Sequence, residues 1–276
     1  MEPFLLNAKN DESSLLMLES WLEWSGVTAG FTTRHAGNTA LHVGNDPLNV
    51  LANRNKVTEH LSWDYEAFTC AEQVHGHDVH VVKHEDAGRG RDGRLSAIQN
   101  TDAMITNEPN VLLAMYFADC VPLYFYDPHT ESMGLAHAGW KGSVAEIAVH
   151  TIAAMQASYG SKPEHILAAI GPSIDSCCYE VDEKVLGQVR LIIESLRKGN
   201  PTIEASDVIK PSGREGHARL DLKHLNRHLM IKAGILPSHI EISSWCTGCR
   251  TDLLFSHRKE NGAAGRMMSW LGRKSR

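Results

Sequence analysis

The chain has 276 residues, 42% hydrophobic and 22% charged, the ordinary composition of a soluble globular protein able to build a well-packed core. A formal net charge of -6 and a pI near 6.2 argue against a general nucleic-acid or membrane-surface binder, because those partners call for a basic face. Any anion this protein binds must therefore meet positive charge gathered locally.

The N-terminal segment MEPFLLNAKNDESSLLMLESWLEW lacks a cationic start and an unbroken apolar core, so it does not read as a signal peptide. No uncharged apolar stretch reaches the roughly 18 residues that a spanning helix needs. Six cysteines in a chain of this kind read as reduced thiols, and the expected location is cytoplasmic. Within residues 13–24, Leu15, Leu16, Leu18, Trp21 and Leu22 fall at roughly helical spacing, as a helix or as a short amphipathic turn before the first strand, and Val27 to Thr33 reads as a strand. The Gly- and Asn-rich RHAGNTALHVGNDP is loop, and Pro47 to Leu61 is helical with Asp46 as its N-cap and Pro47 at the first helical position. Phe68 to Val74 and Val79 to Val82 read as strands flanking HGH, and EDAGRGRDGRLSAIQN reads as exposed loop.

The longest near-continuous apolar segment follows, from Val111 to Gly142, broken at Asp119-Cys120 and again at His137. Such runs read as buried strands, so the polar residues that interrupt them are the informative ones. Beyond it, Ser143 to Tyr159 is expected to be one helix capped by Ser143, with Val144, Ile147, Ala148, Ile152 and Met155 on its apolar face. A strand at Ile166, helices over Glu180 to Leu196 and Leu220 to Gly234, and strands at Val208 to Lys210 and Ile240 to Ser244 come next. Leu253 to Ser256 and Gly265 to Leu271 are further candidate strands. No linker or repeat interrupts residues 1–276, and the irregular mixture of strands and helices predicts a single-domain α+β fold with mixed sheets flanked by helices.

Burying a polar group without a partner costs about 2–7 kcal/mol, so a carboxylate and a thiol side by side in a buried run need a reason. His75, beside Gly76 in QVHG, and His137, in HAGWKG, are the imidazoles that backbone bends can aim into a pocket shared with Cys120. Two nitrogens, one sulfur and a fourth position left for water form the pattern of a catalytic zinc site, where a bound water has its pKa lowered to about 7. His77, His80 and His84 crowd the same region as rival ligands. A metal-free alternative uses Cys120 as a nucleophile with His137 as its base. Cys246-Thr-Gly-Cys249 has metal-knuckle spacing without a second CxxC pair and reads as structural, and the adjacent Cys177-Cys178 reads as buried packing or a turn.

The ordered set QVHG, TDAMIT, ADCVP, HAGWKG, IGPSI, DLK, CT, FSHR and GRM, from Gln73 to Met267, resembles the bacterial members of the polyphenol oxidase or laccase-domain family over almost the whole chain. That family is now understood as purine nucleoside-metabolising enzymes. The resemblance implies Zn2+ held by His75, Cys120 and His137, and phosphorolysis of adenosine, inosine, guanosine and methylthioadenosine with adenosine deamination beside it. Purine nucleosides and inorganic phosphate are then the partners; nothing in the pattern assigns an oligomeric state. Deamination needs a carboxylate to shuttle a proton, and Asp119 is the nearest. Phosphorolysis needs cationic donors for a dianion. Arg54 matches the arginine of the family's ENR-type motif, Lys141 stands where many members carry arginine after HAGW, and Arg258 and Arg266 are further candidates. Lysine at 141 keeps the charge but loses bidentate geometry. Gln73 and Asn38 complete the expected substrate contacts; Asn38 stands for the asparagine of the family's SLN triplet, reached here through a shortened loop after Arg34. The older reading as a copper oxidase requires several HxH pairs, of which His75-Gly-His77 is the nearest approach.

Overall fold

A strand that is apolar on both faces must be covered on both sides, and the computed structural model, which describes residues 1–7, 14–44 and 46–275, provides that cover with two stacked sheets. The first sheet is ordered β1 (Phe4–Leu6), β2 (Leu15–Leu18), β3 (Val27–Thr32), β15 (Met267–Arg273), β7 (Val111–Phe117) and β4 (Phe68–Cys70). The second is ordered β14 (Ile240–Ile242), β10 (Leu167–Ile170), β8 (Val121–Asp127), β9 (Ser132–Ala138), β6 (Ala103–Thr106) and β5 (Val79–Val81). A small third sheet joins β11 (Glu180–Asp182), β13 (His217–Leu220) and β12 (Ile209–Pro211). The helices are α1 (Pro47–His60), α2 (Trp140–Val144), α3 (Ile147–Tyr159), α4 (Glu183–Gly199), α5 (Ala205–Val208) and α6 (Leu222–Lys232). The fold is α+β with mixed sheets, and no helix of the described residues is long and apolar enough to cross a membrane.

Side-chain alternation explains the layers. Along β7, Val111, Leu113, Met115 and Phe117 enter the core between the two sheets, whereas Leu112, Ala114 and Tyr116 enter a second core with Val57 of α1. Along β8, Tyr124 and Tyr126 face the first sheet, while Val121, Leu123 and Phe125 pack with α3, α4 and α6. Each such side chain contributes about 1.5–3 kcal/mol on burial, so the central run anchors the molecule on both faces.

Several elements differ from the sequence reading, each for a local reason. The segment expected as helix around Leu15 is strand β2, paired antiparallel to β1 and β3, and only Glu19–Glu23 coils, as a short 3-10 turn; residue 13 lies outside the described residues. The expected helix from Ser143 is two helices, because Glu146 takes φ +58° and breaks the ladder between Val144 and Ile147. The second expected helix loses Glu180–Asp182 to β11, and Asp182 caps what remains by accepting from Val185 N–H. Leu253 to Ser256 is turn and irregular chain rather than strand, the Leu253 and Leu254 amides bonding back to Arg250 O and the Ser256 amide to the Glu260 carboxylate.

Candidate active site

β7 ends in the first sheet and β8 begins in the second, so Ala118, Asp119 and Cys120 carry the chain across the gap between them. Asp119 takes φ +84°, an uncommon conformation for a residue with a Cβ. Its carboxylate is fastened by three donors: Thr247 Oγ1 at 2.6 Å and Ser256 Oγ at 2.7 Å on one oxygen, and Arg258 N–H at 2.7 Å on the other. These bonds over-determine the strained turn that presents Cys120 to the cleft.

His137 is the penultimate residue of β9, on the face shared by Met133 and Leu135, and its ring lies 5.3 Å from that of Phe117. His75 sits in the turn after β4, where Gln73 and His75 both adopt positive φ, 62° and 63°. Asp102, fully buried just before β6, joins the two histidines. Its Oδ1 accepts from His75 N–H and lies 2.9 Å from His137 Nδ1, while its Oδ2 accepts from Val74 N–H at 3.0 Å and Gly76 N–H at 2.7 Å. One carboxylate thus shapes the QVHG turn and orients the His137 ring.

The outcome is that one ligand atom each from His75, Cys120 and His137 lies within 4.8 Å of the others. Gly139 makes this possible, since a Cβ there would come within 3.0 Å of Cys120 Sγ and 3.3 Å of the His75 ring. Burial pushes the Cys120 thiol up, but the His137 charge and hydrogen bonds from both imidazoles outweigh it and hold the thiol below its ordinary value. Burial likewise disfavours charge on His137, yet Cys120 and Asp102 outweigh it and raise the imidazole. Two imidazoles and a readily formed thiolate, one ring fixed from behind by a carboxylate, are a donor set suited to a divalent transition metal.

The triad stands at the neck of a two-lobed cleft. One lobe, of 340 Å³, carries Trp140, Ile174, Tyr179 and Leu222 on its walls, with Lys141 and Arg258 also lining it. The other, of 240 Å³, is lined by His42, Gln73, Tyr116 and Arg266. His75, Ala118, Cys120 and His257 belong to both. Burial and the Arg266 charge hold the His42 imidazole down to about 4, so it is neutral near pH 7.

The other sequence candidates separate clearly. Lys141 and Arg258 line the larger lobe, Arg258 with its guanidinium 4.9 Å from the Tyr179 ring. Gln73 uses both ends of its amide on Tyr116, donating to O and accepting from N–H at 2.8 Å, which clasps the QVHG turn to β7. Asn38 donates to Ala40 O and Val43 O and accepts from the N–H groups of Ala40 and Arg266, so it folds its own loop against the segment that leads into β15. Arg54 is 1% exposed and donates to the carbonyls of Thr39, Gly90 and Arg91 beneath Tyr116. The structure does not bring Arg54 or Asn38 to the lobes; each organises backbone near them. Of the rival histidines, His80 faces Asp86 and His77 stacks on His150. Asp102, His42, Trp140, Tyr179 and His257 escaped the sequence reading, although Asp102, Trp140 and His257 lie inside the pieces TDAMIT, HAGWKG and FSHR.

Fold and site together define an α+β protein that gathers a His/His/Cys donor set between two sheets. The family model described as multi-copper polyphenol oxidoreductase laccase matches residues 24–274, and the chain belongs to that family. It is 40% identical over 261 residues to the purine nucleoside phosphorylase YlmD of Geobacillus stearothermophilus, covering 91% of this chain and 92% of that one. It is 37% identical over 274 residues to the protein of the same name from Bacillus subtilis, covering 95% of each. The crystal structure of YlmD from Geobacillus stearothermophilus superposes with a TM-score of 0.91 at 37% identity, covering 100% of both chains.

Proposed function

We propose that this chain, acting as one domain, is a metal-dependent purine nucleoside phosphorylase, with Zn2+ as the ion held by His75, Cys120 and His137. The observation that carries this reading is the position of the three donors at the neck between an aromatic, apolar lobe and a second polar one. Support comes also from relatives named purine nucleoside phosphorylase along nearly the whole chain. When bound, such an ion supplies Lewis acidity at the neck.

The chain's own residues supply the rest. A purine base needs flat apolar walls, and Trp140, Ile174, Tyr179 and Leu222 offer them in a lobe inside the roughly 300–1,000 Å³ range of small-molecule sites. Phosphorolysis then forms a bond from a phosphate oxygen to ribose C1′ while the C1′–N9 bond breaks, and the purine leaves with the electron pair and takes up a proton. Lys141 and Arg258 hold the dianion beside C1′, charge that a protein of net charge -6 provides only locally. Adenosine, inosine, guanosine and methylthioadenosine are the proposed substrates, and the proposed location is the cytoplasm, which the six free cysteines support.

Adenosine deamination is the second activity of the same site, favoured by the place of Asp119 in the larger lobe. Both Asp119 oxygens already accept hydrogen bonds, so phosphorolysis is ranked first. A cysteine-hydrolase reading draws on the lowered Cys120 thiol and the Cys120, His137, Asp102 order, but it gives His75 no role. A copper oxidase needs a trinuclear cluster beside its thiolate centre, and among the described residues the only other cluster of metal-ligand type is made of cysteines.

The test is metal analysis of the purified protein together with chromatography of adenosine reactions with and without phosphate. Adenine and ribose-1-phosphate that require both phosphate and metal support the reading, and Cys120→Ala should abolish them. Inosine as the sole product would make deamination primary. Full turnover by chelated protein with alkylation of Cys120 would establish the hydrolase instead.

A further inference from the structure

The two cysteine pairs that the sequence separates by 68 residues or more converge at the edge of the second sheet. β10 and β14 are parallel neighbours, so the turns that follow them leave from the same end, tied by Thr247 N–H to Ser173 O at 3.1 Å. The first turn carries Cys177 and Cys178, with the Cys178 and Tyr179 amides bonded to Asp175 O. The second is a knuckle in which the Cys249 and Arg250 amides bond to Cys246 O. Cys177 Sγ lies 3.4 Å from Cys249, 3.6 Å from Cys246 and 3.9 Å from Cys178, and Cys178 lies 3.5 Å from Cys249. All four sulfurs are within 4.8 Å of one another, and all four thiols are free.

We propose that Cys177, Cys178, Cys246 and Cys249 form a closed tetrahedral zinc site, separate from the triad at the cleft. Four sulfurs about 2.3 Å from one ion stand about 3.8 Å apart along the edges of the tetrahedron, and four of the six edges here already measure 3.4–3.9 Å, with the remaining two within 4.8 Å. Core packing does not account for the cluster, because Cys177 and Cys249 are exposed. The surroundings are built for it. Asp175 N–H donates to Cys246 Sγ at 3.3 Å, as backbone amides do to metal-bound thiolates. Gly248 lets the turns close, since a Cβ there would lie 2.7 Å from Cys178 Cβ and 3.0 Å from its sulfur. Lys223, 2% exposed, clamps the two turns by donating to Asp175 Oδ2, Ser243 O and Trp245 O at 2.9–3.1 Å. Binding exchanges the four thiol protons for one Zn2+, with the protons released to solvent. The site staples together two turns that lead into Tyr179 and, through the Thr247 to Asp119 hydrogen bond, brace the strained residue beside Cys120.

The experiment measures metal stoichiometry in full-length protein purified under reductant, in wild type, Cys120→Ala, Cys177→Ser/Cys249→Ser and the triple variant. Cobalt is then added to the metal-free forms and their absorption spectra recorded. Zinc retained by Cys120→Ala and lost from the triple variant, with an intense thiolate-rich cobalt spectrum in Cys120→Ala, is the expected result. Mass-mapped alkylation of wild type with and without zinc guards against misfolded variants: zinc should protect all four cysteines. A Cys120→Ala protein that binds no metal, equal alkylation with and without zinc, or disulfides among the four in anaerobically purified protein would overturn the site. None of these outcomes depends on nucleoside turnover.

Discussion

Asp102→Asn tests how the triad is held. The carboxylate is fully buried and meets four groups: the amides of Val74, His75 and Gly76 and the His137 ring. An amide keeps one acceptor and turns the other into a donor. With its oxygen toward His75 and His137, its nitrogen faces the N–H groups of Val74 and Gly76, and each of these part-buried donors loses its acceptor at the low end of the cost of an unpaired donor, about 1 kcal/mol. The resulting loss of about 2 kcal/mol is a noticeable share of the roughly 5–15 kcal/mol that keeps a domain folded. In the opposite orientation the amide donor faces the His75 N–H and His137 Nδ1, and the ring loses its carboxylate. Partners of this type are typically worth 10–100-fold in metal affinity or activity. We expect Asp102→Asn to shift the urea midpoint downward, to weaken metal binding about 10–100-fold by chelator competition, and to lower kcat/KM in parallel. A folded variant with wild-type metal affinity would refute the assignment of Asp102 as the residue that orients His137.

The other predictions separate site chemistry from folding. Gly139→Ala, at a backbone φ of -70° that alanine tolerates, should leave the Tm nearly unchanged while its new methyl presses on Cys120 and His75 and lowers metal affinity; an unaltered affinity would show that the contact is slack. Lys141→Ala and Arg258→Ala should each raise the KM for phosphate by roughly 10–150-fold, the value of one charge-assisted hydrogen bond of ~1.5–3 kcal/mol, with the nucleoside KM little changed; a rise confined to the nucleoside would move the phosphate elsewhere. His224 lies 3.0 Å from Asp221, whose hydrogen bond raises the imidazole above its ordinary 6.5. The stability this contributes is complete below that value and is lost as pH rises through the folded value, so NMR should find a midpoint above 6.5 that falls in Asp221→Asn.

The layers were legible where pattern and environment agree. The run from Val111 to Gly142 announced buried strands because β7, β8 and β9 are covered on both faces, and Asp46 and Pro47 marked the start of α1 because cap chemistry is local. What could not be read was set by distant partners. Leu15, Leu16 and Leu18 fit a helix by spacing, but pairing with β1 and β3 decided for strand. Arg54 matched a motif yet lies under Tyr116, since nothing in the order of residues says which face of α1 meets the sheet. Asp102 was invisible as a site residue because its role depends on β6 lying beside both β9 and β5. The four cysteines looked unrelated for the same reason: only the parallel pairing of β10 with β14 joins a CC pair to a CxxC knuckle.

Asp119 shows how these parts act on each other. Its position next to Cys120 suggested an acid or base, and a carboxylate that accepts from two hydroxyls on Oδ1 and from one amide on Oδ2 at 2.6–2.7 Å, at 8% exposure, has most of its acceptor capacity directed at the protein, with Oδ2 keeping one lone pair. Those donors come from two segments. Thr247 belongs to the cysteine knuckle, while Ser256 and Arg258 belong to the turn that brings His257 to the neck of the cleft and the Arg258 side chain to the larger lobe. The strained φ at Asp119 is therefore maintained from outside the β7 to β8 crossing, and loosening the knuckle loosens the residue that orients Cys120. A metal at the cysteine cluster would act on the cleft through this carboxylate and through Tyr179, which follows Cys178, by geometry and without itself touching substrate.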